Sequence, residues 1–168
     1  MSGIKSALVL AFFLPVIFVN SQNSSLPAID IYSLDGERIK ASDISNEGKV
    51  MIIVFWKTYN KDGSNQVLML NEVQQEWVHA EKVKFVAICC DCVGTTSHVK
   101  PIVYGQDIDM EVYVDKNGDL TRAMNIPQTP YTMMLDQEMN VHCKYVGYCA
   151  NGDEMVCQKL EECMGELE

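Results

Sequence analysis

The chain has 168 residues, with 13 basic and 23 acidic side chains and a net charge of −10. A chain of this length can bury a hydrophobic core within one domain. The negative charge argues against nucleic acids and anionic membrane surfaces as partners, because both carry negative charge themselves.

Residues 1–21 have the pattern of a secretory signal peptide, because Lys5 is followed by an apolar run at 7–19 and by small or tolerated residues. The run is shorter than the roughly 20 residues that span a membrane. We therefore predict a signal peptide at 1–21, a polar leader at 22–26 and one domain at 27–168, exported to the periplasm or secreted. If the segment stayed uncleaved, it would hold the protein at a membrane.

Strand and helix patterns alternate after the leader. Two short strands at 29–33 and 38–40 flank an Asp-Gly pair and predict a β-hairpin. Val50–Phe55 is a continuous apolar run, which is typical of a strand buried on both faces. A predicted helix, Ser64–Ala80, and a second buried strand, Val83–Cys90, follow it. These three elements predict a βαβ unit with parallel strands.

The second half of the chain is less regular. Residues 91–106 predict a loop with a weak helix, which is broken by Pro101 and Gly105. Residues 141–148 alternate in character and therefore predict an antiparallel strand. The other predicted elements are an extended segment at Met110–Val114, a turn at 115–119 with a short helix to Asn125, a strand at Thr132–Leu135 and a terminal helix at Gly152–Met164.

Three short motifs connect this order of elements to a known family. They are Phe55–Tyr59 (FWKTY) after the first buried strand, Asp115–Met124, and Thr129-Pro130 before a later strand. With them, residues 27–164 resemble thioredoxin-like proteins of the TlpA/redoxin (AhpC/TSA-like) type. The resemblance implies an α/β fold with a central mixed sheet, flanking helices and an N-terminal β-hairpin. It also implies a cis bond before Pro130, where the residues alone fit cis and trans equally.

The same resemblance places the family's Cys-x-x-Cys motif directly after this entry sequence. In register, its two cysteines fall at Asn60 and Gly63 of this chain. Dithiol exchange needs a thiolate at the helix N-terminus and a second thiol close by. Asn60 can cap a helix but carries no sulfur, and Gly63 has no side chain. The resemblance therefore implies an active-site loop that has lost its usual chemistry.

Seven cysteines are present, and the odd number leaves at least one of them outside intramolecular disulfides. Cys89, Cys90 and Cys92 end the second buried strand, and alternation puts the first two on opposite faces. They allow three interpretations: relocated redox thiols, buried structural residues or, with His98 and without a standard zinc spacing, ligands for zinc or copper(I). We predict no metal and no cofactor. The remaining cysteines are predicted to be structural, with their pairing open: Cys143, Cys149, Cys157 and Cys163.

Two functions fit these features. The first is a non-catalytic binding or assembly module, in which Thr129, Pro130 and Tyr131 form a groove for an extended peptide or a protein partner. Trp56 and Tyr59 are predicted to flank that groove. The alternative is a thiol–disulfide oxidoreductase that uses the three cysteines at the end of the second buried strand.

Overall fold

A seven-stranded mixed sheet forms the centre of the computed structural model, which describes residues 26–91, 93–148 and 152–165. The strand order is β2-β1-β5-β4-β3-β6-β7. The strands are β1 (Asp30–Ser33), β2 (Arg38–Lys40), β3 (Val50–Trp56), β4 (Val83–Cys89), β5 (Glu111–Val114), β6 (Tyr131–Leu135) and β7 (Val141–Val146). The α-helices in these ranges are α1 (Lys61–Glu76), α2 (Val99–Gly105), α3 (Asp119–Ala123) and α4 (Gly152–Gly165). This architecture confirms the predicted α/β fold.

Several predicted features lie outside the described residues. They are the signal peptide at 1–21, most of the leader, Cys92 and Cys149. No helix in the described ranges is long and apolar enough to cross a membrane. Leu26, which we assigned to the polar leader, is 2% exposed and packs in the core. The packed chain therefore includes at least one residue before the predicted start at 27.

Strand β3 is the central element of the sheet, and all seven of its residues are buried. It pairs in parallel with β4, from Val50 opposite Val83 to Trp56 opposite Cys89. Its other neighbour, β6, is antiparallel. These pairings confirm the βαβ unit. They also bring the ends of β3 and β4 and the start of β6 to one edge of the sheet, called the site edge below.

Side chains of β3 alternate between two hydrophobic cores, as the pleat of a strand requires. The even-numbered residues of 50–56 pack in the core that contains buried residues of α1, α2 and α4. The odd-numbered residues of 51–55 pack in the second core, with Ile31 of β1 and Leu120 of α3. Because both faces are covered, the strand has no polar alternation in its sequence.

Helix α1 begins at Lys61, three residues before the predicted start at Ser64. Asn60 has extended backbone angles and its side chain caps the first turn, so the polar residues 61–63 are already helical. The helix ends at Glu76 rather than Ala80, since Trp77 returns to extended backbone angles. This boundary places Asn60 at the site edge, where β3 has just ended.

The loop predicted at 91–106 contains helix α2, which ends at Gly105 as predicted, but the predicted break at Pro101 is wrong. Pro101 is the third residue of that helix, where its missing N–H has no intrahelical partner to lose, so it does not break the helix. The hairpin β1–β2 and the antiparallel pair β6–β7 are confirmed. Helix α4 begins at Gly152, as predicted.

Candidate functional site

Asn60 connects helix α1 to the loop before β6. Its Oδ1 accepts hydrogen bonds from the backbone N–H groups of Asp62, at 3.0 Å, and Gly63, at 3.4 Å. Its Nδ2 donates to the carbonyl oxygen of Thr129 at 3.0 Å. Both ends of the amide are therefore used, one as a helix cap and the other as a tie between two loops of the site edge.

The bond between Thr129 and Pro130 is cis, as the resemblance implied. The carbonyl of Thr129 accepts from Asn60, and the carbonyl of Pro130 accepts from the N–H of Gly147 at 2.8 Å. Pro130 itself has no N–H to donate. The main-chain groups next to this bond are thus largely engaged within the protein.

Gly63 lies against the end of β3. A Cβ added at this residue would meet the backbone oxygen of Lys57 at 3.3 Å and the Cβ of Trp56 at 3.5 Å. The first of these distances is tighter than an ordinary contact. The absence of a side chain therefore lets the first turn of α1 pack closely on the loop that follows β3.

The aromatic residues predicted to flank the groove are mostly buried, which corrects the prediction. Trp56 is fully buried because it still belongs to β3 and pairs with Cys89 of β4. Tyr131 is buried at the start of β6, with its ring edge-on to Phe55 at a centroid distance of 6.4 Å. Tyr59 alone of the three is exposed, at 66%. It is the aromatic side chain of this set that remains open to a partner.

Lys57 and Tyr59 form a contact on the exposed side of the loop. The Nζ of Lys57 lies 5.7 Å from the centroid of the Tyr59 ring, within the range of a cation–π interaction. A hydrogen bond to Tyr59 raises the pKa of Lys57, and the carboxylate of Asp91 adds to this effect. The site edge therefore carries a positive charge at neutral pH beside its exposed aromatic ring.

Asp91 is a site residue that the sequence reasoning missed. It follows β4, is fully buried, and accepts hydrogen bonds from both the backbone N–H of Thr58, at 2.8 Å, and the Thr58 hydroxyl. These bonds fix the loop after β3 to the end of β4. A signal was available, because an acidic residue directly after a buried parallel strand lies at the edge where such folds place polar groups.

Cys89 and Cys90 lie in opposite cores, which confirms the predicted alternation. Burial raises the pKa of the Cys89 thiol far above its usual range. Cys90 is 8% exposed, and its N–H donates to the carbonyl of Trp56 at 2.7 Å. Burial, together with the carboxylate of Asp115, raises the pKa of Cys90 to about 11. Both thiols are therefore protonated at neutral pH.

The hydroxyl of Thr121 is the polar neighbour of the Cys90 thiol. Its Oγ1 lies 3.3 Å from the Sγ of Cys90 and 2.7 Å from the Oδ2 of Asp115. Asp115 also accepts from the N–H groups of Leu120 and Thr121, so it caps helix α3. The carboxylate is thus committed to the helix. It disfavours a thiolate at Cys90 rather than acting as a free base.

The weak metal candidates do not assemble among the described residues. His98 is exposed, Cys90 is buried, and the third candidate, Cys92, lies outside the described part of the chain. Within the described residues, no group of three or more His, Cys, Asp or Glu side chains could hold a metal ion.

Three of the four cysteines predicted to be structural lie in the described residues. Cys143 on β7 and Cys157 on α4 are half-buried thiols that form no disulfide within the described residues. Cys163 is buried against the core next to α1. Because Cys149 lies outside the described residues, the pairing of these cysteines stays open.

Replacing Asn60 by alanine is expected to lower the free energy of unfolding by about 1–2 kcal/mol, because the helix loses its cap. Asn60→Ser is the matched control, since a serine hydroxyl restores the cap but cannot donate to Thr129 across the loop. The free energy of unfolding of Asn60→Ser, measured in urea, should lie between the values for the wild type and Asn60→Ala. An alanine variant as stable as the wild type would contradict the capping role.

Comparisons with known proteins agree with this architecture. The profile of the AhpC/TSA family matches residues 23–144. The thiol-disulfide oxidoreductase ResA of Bacillus thuringiensis is 23% identical over 141 residues, which are 84% of this chain and 75% of that protein. An uncharacterized thioredoxin-like protein from Porphyromonas gingivalis has a similar solution structure, with a TM-score of 0.74 and 29% identity over 84% of this chain and 93% of that one. A putative thiol:disulfide interchange protein DsbE from Chlorobium tepidum gives a TM-score of 0.70 at 19% identity, over 83% and 94% of the two chains.

Proposed function

We propose that this chain, which belongs to the AhpC/TSA family and has a thioredoxin-like fold, is a non-catalytic module that binds a protein or an extended peptide. The observation that carries the proposal is the position of Asn60. Asn60 lies at the N-terminus of α1, at the residue that corresponds to a reactive cysteine of the family's motif. Both ends of its amide are hydrogen-bonded. An amide held in this way positions two loops but does no thiol chemistry.

The described thiols do not replace the missing nucleophile. A thiolate is the reactive form of cysteine, and reactive cysteines are typically exposed in a positive environment with a lowered pKa. Cys89 and Cys90 are buried instead, and their pKa values are raised. This favours structural roles for both residues over redox roles.

Exposed apolar side chains at the site edge support a binding role. Tyr59 and Val93, on the loops after β3 and β4, are both 66% exposed, and Val146 at the end of β7 is 53% exposed. Single exposed apolar residues are ordinary, but Tyr59 and Val146 each adjoin a residue, Asn60 or Gly147, that is hydrogen-bonded to the Thr129–Pro130 loop.

Export to the periplasm or secretion is part of the proposal, on the pattern of residues 1–21. The intact mass of the mature protein tests it, since cleavage removes that segment.

The alternative is a thiol–disulfide oxidoreductase with relocated cysteines, the activity named for the ResA relative. One observation favours it: the N–H of Cys90 bonds to the carbonyl of Trp56, which puts a thiol at the same edge as Asn60. A tight pair of Cys90 with Cys92 would then have to form and break during turnover.

Reduction of insulin by dithiothreitol separates the two functions. We expect that neither the wild type nor the variant Cys90→Ser/Cys92→Ser raises the rate of insulin reduction above its background value. A wild-type rate well above background that this variant loses would overturn the module and establish the alternative.

A further inference from the structure

A cavity of about 220 Å³ opens beside the Thr129–Pro130 loop, between α1, the end of β7 and the start of α4. Gly147, which lines it, is the residue whose N–H bonds to the carbonyl of Pro130. Most of the lining is apolar or aromatic: Met69, Met155, Val156, Val146, Tyr145 and Tyr148. The volume exceeds the roughly 150 Å³ of an engineered apolar cavity that takes up benzene, so one aromatic ring fits.

Gln66 supplies a polar group to the wall of this cavity. It is only 4% exposed, and its Nε2 donates to the hydroxyl of Thr132 at 3.4 Å. Its Oε1 is buried and has no hydrogen-bond partner among the described residues. Turning the amide over would leave Nε2 unpaired instead. In either orientation one buried polar atom lacks a partner, which is costly and rare in folded proteins.

We propose that this cavity takes up a tyrosine side chain of the bound partner. The ring would lie among the methionine and valine side chains, where sulfur–aromatic contacts are favourable. A rotation of the Gln66 side chain would bring the unpaired end of its buried amide to the phenol. A phenol both donates and accepts, so it satisfies either orientation of that amide. A phenylalanine would fit the walls but leave Gln66 unpaired, and an aliphatic side chain would also lose the ring contacts.

This inference rests on the proposed binding function and names the side chain that the module selects. It agrees with the engaged carbonyls of Thr129 and Pro130, which shift recognition from the backbone to side-chain pockets. Because the cavity adjoins the Thr129–Pro130 loop through Gly147, a partner lying across the site edge could place one side chain into it.

The probes for the test are N-acetyl-tyrosinamide and N-acetyl-phenylalaninamide, titrated into the full chain carrying ¹³C-methyl methionine. We expect the tyrosine probe to shift the methyl signals of Met69 and Met155 and to bind about tenfold more tightly than the phenylalanine probe, since one hydrogen bond separates them. Absence of shifts at these two methionines, or equal affinity for both probes, would overturn the proposal.

The variant Gln66→Leu keeps the size of the side chain and removes its polar end. It should abolish the preference for tyrosine while leaving binding of the phenylalanine probe intact, which also shows that the variant is folded. A preference that survives in this variant would remove Gln66 from the site. The insulin assay is independent of this titration. Redox activity together with selective tyrosine binding would refute only the proposed non-catalytic function. A chain that neither reduces insulin nor binds the probes would refute only the proposed tyrosine site.

Discussion

The double substitution Asn60→Cys/Gly63→Cys is expected to convert the chain into an active disulfide reductase, with a rate of insulin reduction about 100-fold or more above the wild type. The N–H groups of Asp62 and Gly63 now bond to Asn60, and they are available to a thiolate in its place. Together with the helix dipole, such groups lower the pKa of a cysteine to about 3.5–7.5. Most of the thiol introduced at residue 60 would then be ionised at neutral pH, and the second cysteine would resolve the mixed disulfide.

The matched control is Asn60→Ser/Gly63→Ala, which keeps a cap at residue 60 and adds the same Cβ at residue 63 without sulfur. It should stay at background. It also measures the cost of the Cβ that would lie 3.3 Å from the oxygen of Lys57, through its urea unfolding curve. A folded double-cysteine variant that stays at background would show that residues 60 and 63 do not correspond to the family's reactive pair.

The parts of the fold that the sequence predicts well depend on patterns within one element. Residues 50–55 are apolar without alternation, and this short run with its β-branched and aromatic residues is typical of a strand covered on both faces, so β3 and the βαβ unit are predictable. The Asp-Gly turn similarly predicts the hairpin β1–β2. The start of α1 is missed because its first turn is polar, and Asn60 is recognisable as its cap once the strand end is known.

The parts of the site that escape prediction depend on contacts between distant elements. Trp56 and Tyr131 look like groove residues in the sequence, yet one ends β3 and the other begins β6, and both are covered by neighbours. The bonds of Asp91 to Thr58 span 33 residues. The apolar periodicity of α1 does not predict that Gln66 is buried. It is buried because it contacts Thr132 of β6 and lines a cavity together with residues of β7 and α4. Periodicity along one helix contains none of this information.

Cys90 is expected to react with iodoacetamide at pH 7–8 at least about 100-fold more slowly in the native protein than in the same chain unfolded in urea. Its pKa rises from 9.0 to about 11 on folding, and two units reduce the thiolate fraction about 100-fold. Because the folded state holds the proton more tightly, the native rate should climb about tenfold per pH unit up to pH 11, whereas the unfolded rate levels off above pH 9. Tandem mass spectrometry of the Cys92→Ser variant distinguishes Cys90 from the adjacent Cys89, and the half-buried Cys157 is the internal reference. Equal native and unfolded rates at pH 7.5 would mean an accessible thiol at the site edge whose pKa is not raised by folding, and would favour the oxidoreductase over the binding module.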